Sequence, residues 1–230
     1  MKVILLPYAG STKKSFLPLI QELKKNFEII YIEFSGRGER NNEKQYTSFS
    51  EMVEDVYLKI LESLADDQPY ILFGHSLGAI LAYICAGKIA ESNRKRPKQL
   101  VLSGRDSPDY EYNKFVHNMT KLEFKNYLNS ISFSRNKILD MPRIGDLYLN
   151  RIYSDYRCME GYEKKNYYYL LDVPISVFYG KRDNTIKDVH DWSNYSTRKV
   201  SFFEFTGDHF YLLEMSNIRL IKEVLIKMSI

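Results

Sequence analysis

Cysteine is scarce in this 230-residue chain, with only Cys85 and Cys158 present. They stand far apart and make no C-x-x-C pair. A disulfide framework is therefore not expected, and free thiols in a reducing compartment are. Cys85 reads as a small buried apolar residue. No apolar run approaches the length needed to span a membrane, and no leader-like segment precedes the first strand-like run, so a cytoplasmic protein without membrane contact is expected. Internal repeats, low-complexity tracts and nucleic-acid-binding motifs are all missing. Charge of one sign is scarce as well. The formal net charge is only +4, which permits an acidic partner without demanding one. The densest basic run, Arg94-Lys95-Arg96-Pro97-Lys98, reads as a solvated loop, with a docking patch for an acidic partner as the alternative.

What is present points to one domain spanning residues 1–230. A chain of this length buries roughly 70–75% of its unfolded surface, so it needs no disulfide or metal to hold it together. Apolar runs alternate with stretches of helical period, the pattern of an α/β fold with a mostly parallel sheet flanked by helices. Strands are expected at Lys2–Pro7, Glu28–Phe34, Tyr70–Phe73, Gln99–Ser103, Pro174–Tyr179 and Val200–Phe205. Helices are expected at Phe16–Lys25, from Phe49 to Leu64, at Ala79–Ala90 and at Ile218–Met228. Ser48 and Glu51 are spaced as a capping box for the second of these helices.

The alternation stops between about Asp106 and Leu171. That stretch is polar and rich in Tyr and Asn, with short helical patterns at Lys121–Leu128 and Leu147–Tyr156. An insertion of this length between core strands is either a disordered excursion or a cover over a site. Its aromatic content argues against disorder, so a mostly helical lid over approximately 106–171 is expected. The Tyr167-Tyr168-Tyr169 cluster is expected to pack the lid against the core, with a pocket-lining role as the alternative.

The run Phe73-Gly74-His75-Ser76-Leu77-Gly78 carries most of the chemical information. It reads G-x-S-x-G, follows an apolar strand and opens a helix. In that setting a serine projects from a sharp turn as a nucleophile. The two glycines let strand and helix approach each other, and the helix N-terminus offers free N–H groups and the positive end of its dipole.

A serine hydroxyl needs a base within hydrogen-bond reach, and the base needs an orienting acid. Only four histidines are available: His75, His117, His190 and His209. His75 adjoins Ser76 in the turn and points elsewhere. His117 falls in the lid, and His190 in a polar helix-like segment. His209 follows the last strand directly, where parallel sheets place functional groups, so it is the candidate base. The chain order Ser, acid, His puts the acid before it. Asp183, in the turn after the strand Pro174–Tyr179, is the candidate. Asp155 is the runner-up, and Asp208 lies too close to His209 in sequence to orient it. Two backbone N–H groups should stabilise an oxyanion. Leu77, next after the serine, and Ala9, in the turn Pro7-Tyr8-Ala9-Gly10-Ser11 after the first strand, are the candidates.

Taken together, Leu6-Pro7-Tyr8-Ala9-Gly10, Ser35-Gly36-Arg37-Gly38-Glu39-Arg40, Phe73–Gly78, Ser103-Gly104-Arg105, Gly180-Lys181-Arg182-Asp183 and Gly207-Asp208-His209-Phe210 occur in the order and spacing of the type II thioesterases. These are the stand-alone editing hydrolases of non-ribosomal peptide and polyketide synthesis. The resemblance runs from the first strand to the closing helix, and the G-R-G-E-R block is its most diagnostic piece. It implies an α/β-hydrolase fold, with the nucleophile at Ser76, the acid at Asp183, the base at His209 and the oxyanion donors at Ala9 and Leu77. It also implies acyl substrates held on the phosphopantetheine arm of carrier-protein domains, which are transient acidic partners. No metal or cofactor is implied, and a monomer is expected. Three positions depart from the family pattern. Ser35 replaces the usual Pro, Ser11 the usual second Gly, and Leu77 the usual Met. Of these, Ser11 bears on the oxyanion turn. Arg37 and Arg40 are expected to form ion pairs that order their loop, with contact to a phosphopantetheine phosphate as the alternative.

Two rival functions fit the same residues less fully. One is an esterase or lipase acting on small oxygen esters. The other is a non-catalytic binding protein on a hydrolase scaffold, although such proteins often lose a member of the serine, acid and histidine set.

Overall fold

The computed structural model describes residues 1–64, 66, 68–92, 94–110, 116–131 and 139–229. Six strands form one sheet: β1 (Lys2–Leu6), β2 (Glu28–Tyr31), β3 (Tyr70–His75), β4 (Gln99–Ser103), β5 (Ile175–Gly180) and β6 (Val200–Phe205). Their order across the sheet is β2-β1-β3-β4-β5-β6, and every neighbouring pair is parallel. Parallel strands must be covered on both faces, and the side chains follow that rule. In β1 and β3, Ile4, Leu6, Tyr70 and Leu72 point into one buried cluster. The alternate residues Val3, Leu5, Ile71 and Phe73 point into the other.

Helices α2 (Phe49–Ser63) and α3 (Leu77–Glu91) cover the first face, and α1 (Leu17–Leu23) and α6 (Met215–Ser229) the second. The start of α2 is capped as its sequence predicts, with the Glu51 N–H donating to Ser48 Oγ at 3.2 Å. The Glu51 carboxylate reaches one residue further back, to the N–H and hydroxyl of Thr47. Helix α3 is buried almost all round, which suits a helix pressed against the sheet centre. The expected first helix, Phe16–Lys25, is α1 at Leu17–Leu23; a 3₁₀ turn at Lys13–Phe16 leads into it, and Pro18 suits the first turn of the new helix. Strand β2 ends at Tyr31, three residues earlier than expected.

The segment between β4 and β5 carries helices α4 (Lys121–Ile131) and α5 (Ile144–Met159), at the two places where helical patterns appear in the sequence. These helices share a small apolar cluster of Val116, Phe124, Leu139, Leu149 and Ile152. Residues 111–115 and 132–138 of the expected lid lie outside the described residues. Among the described residues, no helix is long and apolar enough to cross a membrane.

The strand order reverses between β1 and β3. The chain leaves β1 toward β2 on one side, then crosses to β3 on the other. Loops at the carboxyl ends of these two strands therefore diverge and leave a crevice. The turn Pro7–Ser11 and the turn at Ser76 stand on its two sides, because Leu6 pairs with Gly74.

Candidate active site

Ser76 sits at φ 56°, ψ −114°, a conformation that costs a non-glycine residue about 1–3 kcal/mol and persists only where its surroundings fix it. Here the Ser76 N–H donates to the Ser103 carbonyl at 2.7 Å, and its own carbonyl accepts from the Ala79 N–H at 3.0 Å. The flanking glycines make the close approach possible. A Cβ on Gly74 would stand 2.0 Å from the Gly78 carbonyl oxygen, and one on Gly78 would stand 2.2 Å from that of Leu6. The strand and helix could not meet around any larger residue.

Asp183 and His209 arrive from neighbouring strands, β5 and β6, whose pairing runs to Gly180 and Phe205. The Asp183 Oδ2 lies 2.7 Å from His209 Nδ1, and both residues are buried. Burial alone would raise the Asp183 carboxyl. The charge and hydrogen bond of His209 and two bonds from Thr185 outweigh it and hold the group below the usual carboxylate range. An ionised Asp183 can only accept, so the proton between the pair belongs to His209 Nδ1. That leaves Nε2 as the nitrogen able to take a proton from elsewhere.

Ser76 and His209 line one cavity of about 460 Å³, together with Ala9. Its remaining walls are largely apolar: Tyr8 and Phe210 from the core side, and Leu128, Ile131, Tyr148 and Ile152 from α4 and α5. A second space of about 300 Å³ adjoins it through the same Ser76, His209 and Ala9, and adds Arg105 and Thr185 to the lining. Leu77 is the first residue of α3, so its N–H has no helical carbonyl to bond. The arrangement sets a hydroxyl, an imidazole tied to a carboxylate, and two turns rich in N–H groups around a mainly apolar space. That combination is suited to acyl transfer.

The thioesterase domain family matches residues 1–227. The chain belongs to that family. It is 28% identical over 217 residues to the gramicidin S biosynthesis protein GrsT of Aneurinibacillus migulanus, covering 93% of this chain and 84% of that one. It is 27% identical over 214 residues to the thioesterase PikA5 of Streptomyces venezuelae, covering 92% and 75%. The solved structure of the RedJ thioesterase from the prodiginine pathway of Streptomyces coelicolor shares its fold. The TM-score is 0.84 for the form with polyethylene glycol in the active site, at 26% identity and coverage of 97% and 90%. The fold of this thioesterase is the α/β-hydrolase fold that its sequence implies.

Of the other histidines of the thioesterase, His117 and His190 stand apart from its site, while the His75 ring lies behind that of His209 with centroids 5.0 Å apart. His117 pairs with Glu160 at 2.9 Å on the surface, and His190 packs on Phe202 with ring centroids 4.5 Å apart. His75 turns inward and is fully buried. Its Nδ1 lies 2.8 Å from Ser103 Oγ, which lies 2.6 Å from the Tyr211 hydroxyl. Asp208 caps the loop by accepting from the Phe210 N–H at 2.8 Å. Among the described residues, no group of three or more His, Cys, Asp or Glu is placed to hold a metal ion.

Asp155, the runner-up acid, is engaged elsewhere. It takes both terminal nitrogens of Arg37, at 2.6 and 2.5 Å, and accepts from the Gly10 N–H at 2.6 Å. Arg37 has 1% of its surface exposed, so it is an ion-pair partner and stands out of reach of a substrate phosphate. Arg40 binds Asp55 and Glu43 and the Glu33 carbonyl. Gly38 of the G-R-G-E-R block is packed on the Glu33 side chain, since a Cβ there would stand 2.1 Å from the Glu33 carboxylate. Ser11, the departure in the turn after β1, closes that turn by donating from both its N–H and its hydroxyl to the Tyr8 carbonyl. Two of the three clustered tyrosines pack, as expected, while Tyr168 is 58% exposed. Tyr167 lies against Phe49 and Tyr162, while Tyr169 lies over Gly87 and Tyr83. Cys85 is fully buried in α3, where burial pushes its thiol up.

Two site residues are given no role by the sequence reading, Thr185 not being named there and Gly104 only within the run Ser103-Gly104-Arg105. Thr185 donates to Asp183 Oδ1 from its N–H at 3.0 Å and from its hydroxyl at 2.6 Å. A threonine two residues after an aspartate is a common turn pattern, so its position near the site is the only clue to its role. Gly104 has φ +61°, and a Cβ there would stand 2.5 Å from His75 and 3.3 Å from His209.

Proposed function

We propose that this thioesterase is a type II enzyme. It would hydrolyse acyl, aminoacyl or peptidyl thioesters from the phosphopantetheine arm of carrier-protein domains, clearing mis-primed or stalled chains from a synthase. The observation that carries this reading is the His209–Asp183 contact of 2.7 Å on the same cavity as a serine held at φ 56°. Similarity to a gramicidin S biosynthesis protein directs it toward assembly-line substrates.

In the proposed reaction His209 Nε2 takes the Ser76 proton as Oγ attacks the thioester carbonyl. The N–H groups of Ala9 and Leu77 receive the developing oxyanion, a contribution of about 10²–10³ in rate for each such donor. Asp183 holds the imidazole in its Nδ1–H form and stabilises the imidazolium. The tetrahedral intermediate collapses, His209 gives its proton to the leaving pantetheine thiol, and an acyl-serine remains. Water then attacks that ester while His209 takes its proton. A second oxyanion forms and collapses, and the free acid leaves as Ser76 regains its hydrogen. The reaction so written uses protein groups and water alone. Residues 106–171 act in it as a lid, with α4 and α5 walling the acyl cavity.

The test compares turnover of an acyl-carrier protein with that of a p-nitrophenyl ester carrying the same acyl group. Preference for the carrier thioester is expected. Preference for the oxygen ester would assign the site to a small-ester hydrolase. Ser76→Ala should abolish both turnover and labelling by a serine-directed phosphonate. Retention of both would remove Ser76 from the chemistry.

A further inference from the structure

The Arg37–Asp155 pair is buried more deeply than a loop-ordering ion pair needs to be. Its side chains are 1% and 2% exposed. Burying two charges costs several kcal/mol per ion, and the mutual attraction often does no more than offset this. The pairing is also incomplete, since the buried Arg37 Nε has no hydrogen-bond partner. Stability is thus a poor explanation for it. Its third contact gives a better one. Asp155 Oδ2, already bonded to Arg37, also accepts from the Gly10 N–H at 2.6 Å. Gly10 directly follows Ala9 in the turn beside Ser76.

The same helix braces that turn at a second point. One turn before Asp155, Ile152 occupies the space where a Gly10 side chain would be, with its Cγ1 2.1 Å from the ideal Cβ position. Gly10 itself is at φ +77°, a conformation open to glycine at no steric cost. The peptide between Ala9 and Gly10 is therefore fixed by a charged acceptor on one side and an apolar contact on another. Both come from α5, and the carboxylate is aimed by Arg37 from the G-R-G-E-R block.

We infer that Asp155, oriented by Arg37, is a positioning residue for the oxyanion site: it holds the Gly10 N–H so that the Ala9 N–H faces the reacting carbonyl. The inference rests on the proposed reading of Ser76 and Ala9. It explains why the block that contains Arg37 accompanies a serine hydrolase site although none of its side chains lines the Ser76 cavity. It also gives α5 two tasks, walling the acyl cavity through Ile152 and Tyr156 and bracing the oxyanion turn through Asp155.

The experiment measures kcat, KM and the affinity for a trifluoromethyl ketone analogue, whose adduct with the serine carries an oxyanion, in Asp155→Asn and Arg37→Lys. An unreactive thioether analogue serves as the control ligand, and circular dichroism establishes folding. Asp155→Asn should lower kcat about 10²-fold, within the range for loss of an oxyanion donor. KM and thioether affinity should stay within about threefold, and ketone affinity should fall in parallel with kcat. The pH midpoint of kcat/KM should not move, because the Asp183–His209 contact is separate. Arg37→Lys keeps the charge but loses the fork, so it should show the same pattern more weakly, and it serves if Asp155→Asn does not fold. Unchanged kcat in folded protein, or a fall in kcat without loss of ketone affinity, would overturn the inference. An inactive Ser76→Ala beside a fully active Asp155→Asn would sink this inference alone. An active Ser76→Ala would sink the reading beneath it.

Discussion

The carboxylate of Asp183 divides its two oxygens between His209 and Thr185. Oδ2 meets the imidazole Nδ1 at 2.7 Å, while Oδ1 takes both the N–H and the hydroxyl of Thr185. The acid is thus held at both ends before any substrate arrives. Asp183→Asn keeps the shape but removes the ionised acceptor that fixes the Nδ1–H form. Turnover should fall on the order of 10⁴, as in serine proteases, in protein that is still folded by circular dichroism. The fall should exceed that of Asp155→Asn by about 10²-fold. The reverse order would give the acid's role to Asp155.

Thr185→Val tests the other oxygen. Asp183 is held below its ordinary value of 3.8, so the folded state binds its proton less readily than the unfolded chain does. Its contribution to stability is therefore present above the unfolded pKa and is lost as pH falls through the lower folded value. Removing the Thr185 hydroxyl raises the folded value toward the ordinary one. Acid unfolding, followed by circular dichroism from about pH 5 to about pH 2, should shift to higher pH in Thr185→Val. Asp183→Asn should lose this contribution altogether. An acid midpoint unmoved in Thr185→Val would show that the hydroxyl does not support the charge.

These two predictions differ in how far the sequence leads to them. Asp183 and His209 follow from chain order and strand-end position, because parallel neighbours β5 and β6 bring their exit loops side by side. The strands are legible because both faces of the sheet are buried, which leaves near-continuous apolar runs. Ser76 is legible because Gly74 and Gly78 mark where a helix must approach two strands. The partner of Arg37 is not, because Asp155 lies 118 positions away on a helix whose place depends on packing over the site. An aspartate between a serine and a tyrosine carries no sign of which charge it will meet. Thr185 is hidden for the opposite reason, since its pattern is too common to single out.

Gly104→Ala should damage activity and stability together. The residue is at φ +61°, and its new Cβ would meet His75 at 2.5 Å and His209 at 3.3 Å. The backbone strain alone is about 1–3 kcal/mol, so the melting temperature should drop by several degrees. The displaced imidazole should lower kcat at least tenfold, read as turnover per folded molecule at a temperature well below unfolding. Gly87→Ala is the control. Its Cβ would press on the Tyr169 ring at 2.2 Å, away from the site, so it should cost stability and leave kcat near that of the parent.

The acyl cavity offers the last test, because its walls come from two sources. Tyr8 and Phe210 belong to the loops that carry Ala9 and His209, and substitution there would disturb the proposed chemistry as well as the fit. Leu128 comes from α4 and lines the same space, so it can be enlarged with less effect on the reacting groups. Leu128→Trp should fill part of the roughly 460 Å³ cavity. A short acyl group would still reach Ser76, while a long one would lose apolar contacts or be excluded. Since one methylene in an apolar pocket is worth about 1–3 kcal/mol of discrimination, kcat/KM for a medium-chain acyl thioester should fall roughly 10- to 100-fold relative to the acetyl thioester. The acetyl value itself should stay close to that of the parent. Equal losses on both substrates would mean that the new indole had disturbed the reacting groups. Equal activity on both would mean that acyl chains take the adjoining space beside Arg105 and Thr185, and the same substitution at Met159, which lines that space alone, would then show the chain-length effect.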